Sequence, residues 1–175
     1  MMNVLVTGGA GYIGSHVVEE LQKNGFTPIV YDNLSTGHAA AVPEEVQLVE
    51  GDIHDVAFLK HIMAQFEIDA VIHFAASSLV GESMENPSKY YFNNVEGSLH
   101  LLEAMKGAGV DYIVFSSTAA VYGEPESVPI KEDSCLKPTN VYGRTKLMIE
   151  KMLADYDMAY EMLSLIHISE PTRLQ

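Results

Sequence analysis

Short apolar segments alternate along the chain with longer segments in which apolar residues recur every three or four positions. The short segments are typical of strands buried in a parallel sheet, and the longer ones of helices that bury one face. The pattern predicts strands at 3–7, 27–31, 46–50, 70–74 and 112–116. It predicts the main helices at 12–24, 56–66, 87 to about 106, and 139 or 140 to about 156. Repeated strand–helix units predict an α/β fold, a doubly wound parallel sheet with helices on both faces.

The first strand runs directly into a turn that contains Gly8, Gly11 and Gly14. Glycine lets the backbone turn tightly and approach a ligand where any Cβ atom would collide with it. The free N–H groups of the helix that begins near Tyr12 and Ile13 would then face an anion, at the positive end of the helix dipole. The spacing is one residue wider than the common dinucleotide fingerprint. It predicts a binding site for a dinucleotide pyrophosphate at these five residues.

The second strand ends at Asp32, which follows Gly14 by eighteen residues. A carboxylate at this place can accept hydrogen bonds from the ribose hydroxyls of the adenosine half, and it repels a 2′-phosphate. The segment 33–37 carries no arginine or lysine. The sequence therefore predicts NAD rather than NADP as the cofactor. The alternative is a structural turn with an incidental aspartate.

Tyr142 and Lys146 lie four residues apart at the start of the last predicted helix, so their side chains share one helix face. A free phenol titrates at about pH 10 and is a poor base at neutral pH, but an adjacent ammonium group favours the phenolate. The lysine could also reach the ribose of a bound cofactor. Because the pair follows a cofactor turn and a strand that ends in Ser116-Ser117-Thr118, a catalytic role is favoured over a solvated helix face.

These motifs, together with His73-Phe74-Ala75-Ala76, are similar to those of the extended short-chain dehydrogenase/reductases. Within that superfamily the chain resembles the UDP-glucose 4-epimerase family in four further runs, at 31–37, 78–83, 90–95 and 143–150. The resemblance covers residue 1 to about residue 162. It implies a Rossmann-type fold, a resident NAD, a UDP-sugar substrate and the interconversion of UDP-glucose and UDP-galactose.

The resemblance also implies roles for the matching residues. Tyr142 would remove the proton from the sugar 4-hydroxyl while a hydride passes from C4 to NAD, and the 4-keto sugar would turn over before the hydride returns. Thr118 would hydrogen-bond the sugar oxygen and help to pass its proton, and Lys146 would hold the ribose and tune Tyr142. Asp52 and Ile53 would contact adenine. The other implied cofactor contacts are Asn33, Ser35, Thr36, Gly37, Phe74, Ala75, Ala76, Ser78, Asn93 and Ser116.

Two alanines separate this activity from others of the superfamily. Sugar 4,6-dehydratases carry an Asp-Glu pair after the threonine of this strand, where this chain has Ala119 and Ala120, and related decarboxylases carry glutamate at the second position. Two alternatives stay open: an epimerase acting on UDP-glucuronate or on N-acetylated UDP-sugars, and a non-catalytic NAD-binding module. The chain departs from the family at Val141, where proline is usual, and at Ser78, where some members have lysine.

A formal net charge of −14 over 175 residues argues against a nucleic-acid-binding or anionic-membrane surface, since both need basic patches. No apolar run approaches membrane-spanning length, and the single cysteine, Cys135, suits a reducing compartment, so a cytoplasmic location is expected. The seven histidines show no spacing that supports a metal site. The resemblance implies a homodimer for the full-length form, built with the helices that begin at 87 and near 140.

The resemblance ends after residue 162, where the family continues with another strand and a region that binds UDP. Residues 163–175 instead look like the translation of a transposase adapter used in sequencing libraries. We therefore expect an incomplete NAD-binding domain at 1–162, a foreign tail at 163–175, and too little of the substrate-binding domain for activity. The alternative is a natural short chain in which the alternating residues 163–168 form a sixth edge strand.

Overall fold

The structure, a computed structural model, describes residues 1–125 and 127–168. Its centre is a sheet of six parallel strands in the order β3-β2-β1-β4-β5-β6. The strands are β1 (Asn3–Thr7), β2 (Thr27–Asp32), β3 (Gln47–Glu50), β4 (Ala70–His73), β5 (Tyr112–Ser117) and β6 (Leu163–Ile168). The prediction of a doubly wound parallel sheet is confirmed, and the first five strands agree with their predicted bounds to within one residue.

Helices cover both faces of this sheet. The α-helices are α1 (Tyr12–Lys23), α2 (Val56–Gln65), α3 (Val80–Glu85), α4 (Pro87–Tyr90), α5 (Gly97–Ala108) and α6 (Val141–Tyr160). A π-helical turn, Tyr91–Glu96, joins α4 to α5, and short 3₁₀ turns lie at Ala39–Ala41 and Ala119–Tyr122. Successive residues of β1 face opposite layers: Leu5 packs towards α2, α5 and α6, whereas Val4 and Val6 pack towards α1.

The helices differ from prediction at three places. The helix predicted from 87 begins at Pro87 but contains the π-helical turn, and it ends at Ala108, two residues past the predicted end and just before Gly109 (φ +71°). Helix α6 runs four residues past 156, and α5 contacts this part of it: the Tyr156 hydroxyl donates to Glu103 at 2.6 Å, and the Lys106 Nζ lies 4.7 Å from the centre of the Tyr160 ring. Helix α3 was not predicted, since six residues are too few to show a helical period.

The parallel register brings the carboxyl ends of the strands to one edge of the sheet. Thr7 pairs with Tyr31 on one side and with His73 on the other, and His73 pairs with Phe115. Strands β1 and β4 are neighbours although β2 and β3 lie between them in the chain, so the connections diverge at β1. Ligands of open α/β sheets bind in the crevice that this divergence leaves beyond the strand ends.

Strand β6 pairs with β5 along its whole length, from Tyr112 with Leu163 to Ser117 with Ile168. The sixth strand that the alternation of 163–168 allowed is therefore present. The foreign origin of 163–175 stays a prediction, and its part at 169–175 lies outside the described residues. None of the helices within 1–125 and 127–168 is long and apolar enough to cross a membrane.

Candidate active site

The glycine turn lies directly after β1 and packs against the loop that follows β4. Gly8 has φ +74°, and a Cβ atom on it would lie 2.6 Å from the backbone nitrogen of Ala75. A Cβ atom on Gly14 would lie 2.3 Å from the Gly8 carbonyl oxygen. Gly11 caps α1 without a side-chain hydrogen bond, so no capping side chain covers the first N–H groups of this helix. The turn thus places backbone donors of α1 at the sheet edge, with exposed Tyr12 beside them.

Asp32 is buried at the end of β2 and ties two loops together. Its Oδ2 accepts a hydrogen bond from the Ala10 N–H at 3.0 Å, and its Oδ1 accepts one from the Leu34 N–H at 2.9 Å. Gly37 also packs closely against Ala10, because a Cβ atom on Gly37 would lie 2.9 Å from the carbonyl carbon of Ala10. Asp32, the residue predicted to bind the ribose, therefore also holds the glycine turn in place. Each carboxylate oxygen has a second lone pair for a ligand hydroxyl.

Asp52 lies beyond β3 and is held by three contacts from two neighbours, His54 and Asn33. Its carboxylate accepts hydrogen bonds from the His54 N–H at 2.9 Å and from Asn33 Nδ2 at 3.1 Å, and it lies 2.6 Å from His54 Nδ1. Burial alone would raise the pKa of Asp52, but these bonds together lower it. The Ile53 side chain is buried in the main core, where its Cδ1 is 2.5 Å from the ideal Cβ position of Gly97, which leaves only its backbone for the predicted contact with adenine.

The loop after β4 is fastened by a buried asparagine of the π-helical turn. Asn94 is fully buried, and its Oδ1 accepts from the Ser77 N–H at 2.8 Å while its Nδ2 donates to the Ser77 carbonyl at 3.0 Å. Asn93 donates to the same Oδ1 at 3.0 Å. The loop therefore has a defined path past Phe74, Ala75 and Ala76, and exposed Ser78 follows it.

Helix α6 brings Tyr142 and Lys146 to the end of β5. Lys146 is only 3% exposed, and its Nζ donates to the Ser116 carbonyl at 2.8 Å and lies 4.7 Å from the centre of the Phe115 ring. The same Nζ is 5.9 Å from the centre of the Tyr142 ring. The ammonium group and the Tyr142 ring therefore lie together at the end of β5, and a positive charge beside a phenol in general favours the phenolate. Thr118 is the first residue after β5. It is buried, and its Oγ1 accepts from the Ala120 N–H at 3.1 Å.

His73 is buried at the end of β4, and both of its ring nitrogens have partners. Ser98 Oγ donates to the Asn94 carbonyl at 2.5 Å, so this hydroxyl must accept from His73 Nε2, which lies 2.9 Å away. His73 Nδ1 then accepts from the Thr7 hydroxyl at 2.7 Å. This arrangement needs the neutral ring, and burial, aided by the Lys146 charge, lowers the pKa of His73 to about 3.

The NAD dependent epimerase/dehydratase family matches residues 4–169 of the chain. The chain belongs to this family. It is 54% identical over 158 residues to a UDP-glucose 4-epimerase of Lactobacillus helveticus, an alignment that covers 90% of this chain and 48% of the relative. A crystal structure of UDP-glucose 4-epimerase from Brucella ovis in complex with NAD superimposes with a TM-score of 0.93 at 51% identity, covering 95% of this chain and 51% of that one. The UDP-Glc/GlcNAc 4-epimerase of Campylobacter jejuni gives a TM-score of 0.90 at 42% identity, with coverage of 95% and 52%.

Membership of the NAD dependent epimerase/dehydratase family confirms the resemblance inferred from the motifs, including the dependence of the family on NAD. The chain spans about half the length of the curated relatives it matches. The family match continues through β6 to residue 169.

The fold of this family member brings most of the predicted site residues to one edge of the sheet. Those at the carboxyl ends of β1, β2, β4 and β5 and at the start of α6 are Gly8, Gly11, Gly14, Asp32, Phe74, Ala75, Ala76, Ser116, Thr118, Tyr142 and Lys146. Asn33, Ser35 and Thr36 are exposed beside them. Their roles stay predictions. Within residues 1–125 and 127–168, no group of three or more His, Cys, Asp or Glu side chains could hold a metal ion.

Sequence reasoning missed the buried polar side chains that hold this edge of the sheet in place by hydrogen bonds. It used His73 as part of a family motif, and it did not single out Asn94, Ser98 or Thr145. Thr145 is fully buried one residue before Lys146, and its Oγ1 accepts from Asn94 Nδ2 at 3.1 Å. The only signal for Asn94 and Ser98 is that they are polar residues on the inner face of a helix, which marks a buried polar group but not its partner.

Proposed function

We propose that this chain carries the NAD-binding part of a UDP-glucose 4-epimerase, an enzyme that interconverts UDP-glucose and UDP-galactose by transient oxidation at the sugar C4. The observation that carries the proposal is the buried Lys146 ammonium group, 5.9 Å from the Tyr142 ring centre and at the same sheet edge as the glycine turn. A protein of an NAD-dependent family with this pair has the parts that reversible oxidation of an alcohol requires.

The residues at the sheet edge fit the chemistry of NAD. The glycine turn forms a cradle that a Cβ atom on Gly8 or Gly14 would fill, and the first N–H groups of α1 suit the pyrophosphate. The carboxylate of Asp32 suits the adenosine ribose, and it disfavours the 2′-phosphate of NADP. Ser116, Tyr142 and Lys146 would lie towards the nicotinamide end. The other proposed contacts are Gly11, Tyr12, Ile13, Asn33, Ser35, Thr36, Gly37, Asp52, Ile53, Phe74, Ala75, Ala76, Ser78 and Asn93.

Bound NAD would supply the hydride acceptor for C4 of the sugar, and its reduced form would supply the hydride that returns to the opposite face of the 4-keto sugar. Tyr142 would take the proton of the 4-hydroxyl as the hydride leaves, and Lys146 would keep the phenolate accessible near neutral pH. Thr118 would hydrogen-bond the sugar oxygen. Ala119 and Ala120 follow it in a 3₁₀ turn and carry no group that could transfer a proton, so elimination or decarboxylation has no second acid or base here.

The sugar specificity has a second candidate. The similarity to a UDP-Glc/GlcNAc 4-epimerase favours an enzyme that also accepts N-acetylated UDP-sugars, although this relative is less similar to the chain than the Brucella ovis enzyme. We also propose that the whole protein is a homodimer and acts in the cytoplasm. Exposed apolar side chains on the π-helical turn, α5 and α6 support the dimer, among them Phe92, Leu99 and Met148. Light scattering that detects only monomer at micromolar concentration would contradict it.

The first test is binding of NAD to the chain itself, measured by calorimetry. The parent and Tyr142→Phe should bind NAD with affinities within about threefold of each other, because the substitution removes one hydroxyl and leaves the glycine turn intact. Absence of NAD binding by a folded parent chain would contradict the proposal.

The second test joins residues 1–162 to the part of the Lactobacillus helveticus relative that the alignment does not cover. The fusion should convert UDP-galactose to UDP-glucose, and the same fusion with Tyr142→Phe should lose at least about a hundredfold in kcat, the contribution expected of a general base. Equal rates for the two fusions would remove Tyr142 from the reaction. Conversion of UDP-N-acetylgalactosamine at a similar rate would favour the second candidate.

A further inference from the structure

The first turn of α6 carries backbone donors that have no partner within the helix. Asn140 supplies the local cap, since its Oδ1 accepts from the Gly143 N–H at 2.7 Å. The N–H of Tyr142 needs another acceptor, and that acceptor comes from a distant part of the chain. Ser83 of α3, fifty-nine positions earlier, places its Oγ 3.2 Å from the Tyr142 nitrogen.

The Ser83 hydroxyl oxygen can act only as the acceptor in this bond, because its hydrogen is used elsewhere. Ser83 is fully buried, and its Oγ donates to the Val80 carbonyl at 2.6 Å. Its single hydrogen is therefore used within α3, and the lone pairs of Oγ remain for the Tyr142 N–H. The bond is thus a cap of α6 that is supplied by another helix.

The carbonyl of Tyr142 is held from another direction. The Thr145 hydroxyl donates to this carbonyl at 2.7 Å, and Asn94 donates to the Thr145 oxygen at 3.1 Å. Both backbone polar groups of Tyr142 therefore bond to side chains that are themselves fixed by α3 or by the π-helical turn. The place of the phenol relative to the Lys146 ammonium group depends on these bonds, because the backbone determines where the side chain starts.

We infer that Ser83 is a positioning residue for proton transfer: its hydroxyl holds the Tyr142 backbone so that the phenol stays near the Lys146 ammonium group. The inference rests on the proposed role of Tyr142 as the proton acceptor. The Ser83 hydroxyl donates to the Val80 carbonyl and accepts from the Tyr142 N–H, so it acts on proton transfer through the Tyr142 backbone.

The test compares Ser83→Thr with Ser83→Val in the 175-residue chain with NAD added. The two side chains have the same shape, and only threonine keeps a hydroxyl. Tyrosine labelled with ¹³C at the oxygen-bearing ring carbon reports the titration of each phenol, and the Tyr142 signal is identified by its loss in Tyr142→Phe. The Lys146 Nζ lies 5.9 Å from the centre of the Tyr142 ring. For a charge at about that distance, a retreat of about 1 Å raises the titration midpoint of the phenol by about 0.3 pH unit at a dielectric constant of about 20.

We expect Ser83→Val to raise the Tyr142 midpoint by about 0.3 pH unit or more and Ser83→Thr to stay near the parent. The Tyr142 amide should lose protection from hydrogen exchange in the valine variant, while the Gly143 amide, which Asn140 caps, should keep it. Equal midpoints in the two variants would overturn the inference. Should these larger side chains prevent folding, Ser83→Ala against the parent gives the same comparison. A parent Tyr142 that titrates no lower than a free phenol would refute the proton-acceptor role itself, and the inference with it.

Discussion

Replacement of Gly14 by alanine tests whether the glycine turn is built for a close approach of two backbone segments. The new Cβ atom would lie 2.3 Å from the Gly8 carbonyl oxygen and 2.7 Å from the Gly9 Cα. Both neighbours are backbone atoms, so no side chain can rotate to make room. The first turn of α1 would have to move away from the glycine turn, and its N–H groups would move with it.

Two opposing terms decide the size of the effect. Alanine is favoured over glycine in a helix by about 1 kcal/mol. Overpacking against atoms that cannot rotate costs about 1–3 kcal/mol, and a contact as short as 2.3 Å favours the upper end of this range. We expect the free energy of unfolding to fall by about 1–2 kcal/mol. The displacement of the α1 donors should also weaken NAD binding about tenfold or more, which corresponds to about 1.4 kcal/mol.

The assay is urea unfolding followed by circular dichroism, together with calorimetric titration of NAD. The matched control is Gly81→Ala in α3, since a Cβ atom there meets nothing within 4 Å and Gly81 has no positive φ. The control should unfold at an equal or slightly higher urea concentration and bind NAD like the parent. The reasoning is refuted if Gly14→Ala behaves like this control in both measurements.

Two further predictions concern buried polar groups. Because the pKa of His73 is lowered to about 3 in the folded chain and is about 6.5 when unfolded, the unfolded chain binds more protons as the pH falls from 6.5 towards 3. His73 should therefore remove about 1.4 kcal/mol of stability per pH unit between pH 6 and 4, and His73→Gln should show a shallower decline in urea unfolding; parallel declines would contradict this. Asp32→Asn should lower the unfolding free energy by about 1.5–3 kcal/mol, because an amide N–H₂ would face the Ala10 or the Leu34 N–H. The control is Asp69→Asn, since the Asp69 carboxylate is exposed and accepts from the Asn3 N–H at 2.7 Å. This control should lower the unfolding free energy by less than Asp32→Asn does, and equal losses would show that burial of Asp32 is not what matters.

The elements that sequence reasoning predicted well are those whose signal is local. The strand bounds follow from short apolar runs, and the start of the helix at Pro87 follows from a residue that suits a first helical position. The π-helical turn was missed because its cause is not local. Asn94 is placed inside the molecule, where it bonds to Ser77 and Thr145, and a helix of uniform period carries no sign of this.

The candidate site divides in the same way. The spacing of Gly8, Gly11 and Gly14 and the pair Tyr142 and Lys146 were visible as motifs, because each motif lies within one turn or one helix. Their closeness to one another depends on the order and register of the strands, which bring the ends of β1, β4 and β5 together. The second role of Asp32, as the link between two loops, was not visible, because a sequence does not show which backbone N–H groups approach a carboxylate.

The sequence by itself determined the periodicity of the strands and helices, the cofactor turn and the residue types available for chemistry. These depend on neighbours a few positions away and on the covalent nature of each side chain. The tertiary structure alone decided that Ser83 caps the helix of Tyr142, that His73 keeps a single neutral tautomer, and that Lys146 is buried against Phe115. Each of these contacts joins residues more than twenty positions apart, and the energy of a buried polar group depends on partners that only folding brings within hydrogen-bonding distance.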